Sequence, residues 1–237
     1  MGPHSISHYI LPPCAHNTAG PRREPPGPHT LERDVQDPDR LASLAAGFER
    51  RSYGKIRGCI GAVDGLLLPI ESPQNEGGEG PRKYFTRKGF YAWNVQAVCD
   101  AHARITYFSM DYAGSTHDSL AFSMCDVAQT KILMRGDVYS MLVSNGYHLV
   151  GDEAYTAGHT LSTPWTGRAC HGIPSRLAYN YYHSAARITI ERAFGQLTKR
   201  YLILKRPFQG SVVCGHHAPG LLRVLRVCVK LVRATAP

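Results

Sequence analysis

Residues 59–70, CIGAVDGLLLPI, are an apolar run with one carboxylate inside it, Asp64. A continuous apolar run bounded by turn residues reads as a buried strand, and such a strand needs a sheet covered on its faces. Asp64 then has to be explained, because an ionised carboxylate in a buried strand is costly unless it is paired, hydrogen-bonded or bound to a metal. Asp64-Gly65 is also a turn signal, which would let two strands meet there. From the run alone, turn chemistry and metal ligation weigh equally for Asp64.

Further strands are predicted at 93–99 and 104–110, joined as a hairpin by the turn-like residues 100–103. Residues 114–127, GSTHDSLAFSMCDV, start a helix, with Ser115 as the natural N-cap and Asp118 three residues on, close to a capping box. Capping would give Asp118 a structural task with no chemistry attached. A short apolar strand at 147–150 runs into Gly151-Asp152-Glu153-Ala154-Tyr155. A carboxylate just past a strand's C-terminal end is where sites gather in open α/β sheets. Residues 156–180 read as a connection with a short strand at 161–165.

Residues 184–208 read as a basic helix in which Ile190, Phe194, Leu197 and Tyr201 repeat at helical period. Glu191 stands beside that stripe, Arg187 one turn earlier and Gly195 one turn later, where the missing side chain permits close approach. Taken alone, Arg187 and Glu191 are an ordinary i,i+4 ion pair on a solvated face. Before the apolar run, residues 31–54 form a short helical lead-in interrupted at Pro38, with Asp37 or Asp39 capping its second part. Residues 1–30, rich in Pro, Gly and His, are expected to be a disordered arm. Residues 209–237 end the chain as a basic amphipathic helix with Leu221, Leu222, Leu225, Val229 and Val232 on one face. Three strands, a helix, a strand and a helix make a mixed α/β sheet with helices packed on it.

The net charge of +9 favours a polyanionic partner, nucleic acid first and an anionic membrane surface second. No stretch approaches the roughly 18 apolar residues of a membrane span, and the N-terminus lacks the basic start and apolar run of a secretory signal. The seven cysteines are scattered with no C-x-x-C, which weighs against a zinc ribbon and a disulfide framework and points to a reducing compartment. Asp64, Asp152 and Glu191 all lie at element ends. Three carboxylates meeting at one point repel each other unless cations sit between them, and oxygen-only ligands suit Mg²⁺ or Mn²⁺. A pair of such ions about 4 Å apart activates a water or 3′-hydroxyl and stabilises the leaving oxygen of a phosphodiester. Lys83, Arg87, Lys88, Lys199 and Arg200 would neutralise phosphates of bound DNA without reading its sequence.

Five stretches stand in order: GAVDG, YFTRKGFYAWNVQAVCD, GSTHDS, GDEAY, and N-x-x-H (Asn180, His183) leading into ARITIERAFGQLTKRYLIL. On these the chain resembles, over residues 55–208, the DDE superfamily endonucleases of the PIF/Harbinger transposase group. The resemblance implies a ribonuclease H-like α/β fold, a mixed sheet flanked by helices, in a nuclear protein whose divalent-metal site cuts and joins DNA strands. It puts the acid triad on Asp64, Asp152 and Glu191. In a nuclease so built, Arg187, one turn before Glu191, would orient it. Asp118, in the family's G-S-x-x-D motif, rivals Asp152 as second acid and is expected as an accessory ligand. The lysine the family places after the helix glycine is displaced here, Thr198 preceding Lys199. Such transposases also have an N-terminal helical DNA-binding segment, and the residues before 55 show little helical pattern. Two further expectations follow: a separate DNA-binding partner protein, or a catalytically silent copy that binds DNA or protein without cutting.

Overall fold

The computed structural model describes residues 30–73, 80–128, 136–208 and 219–234. The apolar run forms one uninterrupted strand, β1 (Cys59–Pro69). Asp64-Gly65 therefore makes no turn. Both residues sit in antiparallel register with the next strand, β2 (Ala92–Cys99), Asp64 opposite Ala97 and Gly65 opposite Gln96. Ladder pairing on both sides of the dipeptide outweighs its local turn preference.

β2 is buried along its whole length and pairs antiparallel with β3 (Ile105–Ala113). Asp100 closes this hairpin, its Oδ1 accepting the N–H groups of His102 and Arg104 at 2.9 Å each. α1 (Thr30–Asp34) and α2 (Pro38–Arg51) precede β1, and after β3 come α3 (Asp118–Met124) and α4 (Gly136–Ser144). Next are β4 (His148–Val150), β5 (Leu161–Ser162), α5 (Gly167–Cys170), α6 (Pro174–Arg200) and α7 (Pro219–Ala234). β4 lies parallel to β1, and β5 parallel to β4, which gives the sheet order β3-β2-β1-β4-β5. This is the mixed, helix-flanked sheet of the ribonuclease H-like fold.

Side chains alternate across the sheet and so feed two cores. On one face Ala62, Leu68, Trp93, Val95 and Ala97 meet Ala186, Ile190, Ala193 and Leu197 of α6 and Leu221 and Leu225 of α7. On the other, Ile60, Val63, Val98, Tyr107 and Leu149 meet Leu31, Leu41 and Leu44 of the first two helices, with Phe122 and Leu142. Ile190 is fully buried, worth roughly 2 kcal/mol by transfer alone.

Capping explains where α2 begins. Asp37 Oδ1 accepts the N–H groups of Asp39 and Arg40, and Pro38 occupies the first turn, where its missing N–H costs nothing. α6 starts ten residues ahead of Ser184, at Pro174, and stops at Arg200, short of Phe208. Its early start is held by Asn180 and His183, bonded to Trp165 and Ser162, and residues 202–205 tighten into a 3₁₀ turn. The expected arm at 1–30 lies outside the described residues, save Thr30, as do residues 74–79 and 209–218. No described helix is long and apolar enough to cross a membrane, and the five described cysteines are free and buried.

A Cβ added at Gly195 in α6 would meet no atom within 4 Å. Gly195→Ala is therefore expected to raise stability by about 0.5–1 kcal/mol, since glycine in a helix interior costs that much relative to alanine. Urea unfolding checks this, and a lower midpoint would show that the face is covered.

Candidate active site

Asp64 points to the face covered by α6. Its Oδ2 lies 4.0 Å from Nη1 of Arg187, and that same nitrogen is 2.7 Å from Oε1 of Glu191, one turn on. A guanidinium thus stands between two of the acids expected to form the triad. The Arg187 side chain is only 23% exposed and Glu191 is 47% exposed, so this is more than a solvated helix pair, although one end is wet. Burial pushes the Asp64 carboxyl up to about 6. Asp152 and Asp118 repel its charge and add to the rise, while the Gly65 N–H, donating to Oδ1 at 2.8 Å, and Arg187 work against it.

Asp118 reaches the same neighbourhood from the other face of β1. A Cβ on Gly65 would lie 2.3 Å from Asp118 Oδ1, so the absent side chain is what admits the carboxylate. The capping-box reading fails here. The N-cap of α3 is His117, whose Nδ1 accepts the Ser119 N–H, and Ser115 instead gives both its N–H and its hydroxyl to the Lys83 carbonyl. That tie holds residues 114–117 off the helix, so α3 starts at Asp118 and the carboxylate turns away from the cap. Asp118 Oδ1 accepts from Asn94 Nδ2 at 2.8 Å and Gln96 Nε2 at 3.1 Å. Along the sequence Asn94 and Gln96 read only as strand interior. The signal was two amides at i and i+2 in an otherwise apolar strand, which share one face.

Asp152 follows β4, its Oδ1 accepting the Ala154 N–H at 2.9 Å in a turn. The Gly151 N–H donates to the Ser162 carbonyl at 2.9 Å, and His183 Nε2 lies 3.1 Å from that same oxygen. His183 is buried, which favours its neutral ring, with the Nε2 proton then donated to Ser162. Asn180 clamps Trp165 from both sides, Oδ1 taking its N–H and Nδ2 giving to its carbonyl, both at 2.8 Å. The N-x-x-H stretch therefore pins the start of α6 to the end of β5, whose Ser162 carbonyl also takes the N–H of Gly151, next to Asp152.

Arg87 and Lys88 are exposed at a tight turn closed by the Gly89 N–H on the Thr86 carbonyl, with Gly89 at φ 83° where glycine is favoured. The Lys83 ammonium lies 5.1 Å from the ring centre of Tyr84. Lys199 and Arg200 are exposed in the last turn of α6, and Lys199 shares an open groove with Ile188, Glu191, Arg192, Gly195 and Gln196. Asp64, Asp118 and Asp152 thus share one electrostatic neighbourhood, and Glu191 joins it through Arg187. Among the described residues, no three His, Cys, Asp or Glu side chains are gathered as a ready-made metal cage.

The family profile described as DDE superfamily endonuclease matches residues 63–233. Two relatives carry the name "Putative nuclease HARBI1". The Bos taurus protein is 29% identical over 153 residues, 63% of this chain and 38% of its own length. The Homo sapiens protein is 28% identical over 151 residues, 62% of this chain and 38% of its own. The chain matches less than half the length of these relatives. No solved structure gave a significant match.

The folded value of Asp64 lies above its ordinary 3.8, so the stability this carboxyl lends is complete below about pH 4 and is lost as pH rises through about 6. Asp64→Asn is expected to raise stability at pH 7 by on the order of 1–3 kcal/mol, with the gain vanishing near pH 4. Urea unfolding of both proteins at the two pH values measures it.

Proposed function

The chain belongs to the DDE superfamily endonucleases, and from that premise we propose that it is a divalent-metal-dependent nuclease acting on DNA phosphodiester bonds, by hydrolysis or strand transfer, in the nucleus. The observation that carries the reading is Asp64, a carboxylate held inside a sheet with Asp152 and Asp118 both adding to its cost. The donor set fits Mg²⁺ or Mn²⁺: oxygen only, half-buried, and carrying more negative charge than the guanidinium of Arg187 offsets. Asp64, Asp152 and Glu191 would hold the cation, with Asp118 as accessory ligand. When bound, the cation supplies Lewis-acid activation of the attacking oxygen and neutralises charge building on the phosphate.

The chain's own residues do the rest. Arg187 orients Glu191 through its 2.7 Å contact. Lys199, beside Glu191 in one groove, neutralises phosphate, and Arg87, Lys88, Lys83 and Arg200 extend that basic surface without reading sequence. A separate DNA-binding protein would supply target choice.

A second reading is a silent copy that binds DNA or a protein without cutting. Arg187 favours it, since its guanidinium already occupies the space between Asp64 and Glu191. Plasmid nicking with Mg²⁺ or Mn²⁺ separates the two. Cleavage that Asp152→Asn reduces by at least a hundredfold is expected. Equal cleavage by the mutant removes Asp152 from the chemistry, and no cleavage by either protein leaves the binding reading.

A further inference from the structure

Behind Asp118 lies a buried chain of hydrogen bonds that the chemistry above does not use. It starts three residues past Asp152, at Tyr155, whose hydroxyl donates to Gln96 Oε1 at 2.8 Å. Gln96 Nε2 spends its two protons on Asn94 Oδ1, at 2.8 Å, and on Asp118 Oδ1, at 3.1 Å. Asn94 Nδ2 spends its two on Asp118 Oδ1, at 2.8 Å, and on the Thr116 carbonyl, at 3.0 Å. Gln96 is 0% exposed, Asn94 2% and Tyr155 4%, so water cannot stand in for a lost partner.

The direction of every bond in this chain is determined. A carboxylate only accepts, so both amides must turn their NH₂ groups toward Asp118. Gln96 Oε1 then faces Tyr155, which must donate. Flipping the Gln96 amide would set its oxygen against two acceptors, Asp118 Oδ1 and Asn94 Oδ1. Both bonds to Asp118 land on Oδ1, and Oδ2 is not part of the network. Phe122 packs edge-on against Tyr155, ring centres 5.5 Å apart, and holds the phenol in place.

We propose that Tyr155, Gln96 and Asn94 are positioning residues that aim the Asp118 carboxylate toward the cation site, coupling it to the loop that carries Asp152. This rests on the metal-dependent reading above. Residues that orient a metal ligand typically change affinity by about 10- to 100-fold when altered. An ordinary buried network would change stability alone.

The test is a titration of the full chain with Mn²⁺ alone, followed by the loss of the free ion's paramagnetic signal, with thermal unfolding run alongside. Tyr155→Phe keeps the ring and its packing, and Gln96→Met keeps length while removing both polar atoms. Each is expected to weaken Mn²⁺ binding on the order of tenfold in the native background and to cause no further loss once Asp118→Asn is present. Equal losses in both backgrounds would overturn the proposal, as would unchanged affinity in a variant that merely melts earlier. Binding that Asp64→Asn abolishes but both network variants leave intact sinks the network's role alone. No Mn²⁺ binding by the native chain removes the metal reading and the positioning role with it.

Discussion

Asp64 is a charge held inside a sheet. A carboxylate at that depth is tolerated only with compensation, and its surroundings supply it incompletely: one backbone N–H, one guanidinium at 4.0 Å, and two more carboxylates of the same sign. The local structure bends to this requirement. Gly65 leaves room for Asp118, Arg187 leans from α6 across to β1, and the strand stays unbroken because Gly65 pairs with Gln96. Instability concentrated at one acid is the pattern expected where structure serves chemistry before stability.

Around that charge, polar groups lace separate elements into one frame. The Ser162 carbonyl takes the Gly151 N–H and faces His183 Nε2, which registers α6 against the strand end before Asp152. Ser115 ties the basic turn near Lys83 to the start of α3. Both links are long-range, and that of Ser115 replaces the N-cap role expected of this residue.

Much of the architecture was legible in advance because burial leaves periodic marks. β2 and β3, the hairpin at Asp100, a cap at one of Asp37 and Asp39 and the buried Leu221, Leu225 and Val229 of α7 follow from local pattern and turn chemistry. Local preference gives way where distant contacts overrule it. Asp64-Gly65 keeps its ladder, and α6 begins at Pro174 because Asn180 and His183 are bonded to residues 162–165. Asn94 and Gln96 mark one face of β2, but their meeting with Tyr155 and Asp118 is written in no single segment.

Apolar period and motif order, both written along the chain, carry the layered sheet, the spacing of the acids and the family. Only folding takes Asp118 off the cap and onto the amides of Asn94 and Gln96, and only folding sets Arg187 between Asp64 and Glu191. The reason is physical: a side chain's hydrogen-bond partner is whatever lies within about 3 Å, and for these groups that is a residue far off in sequence.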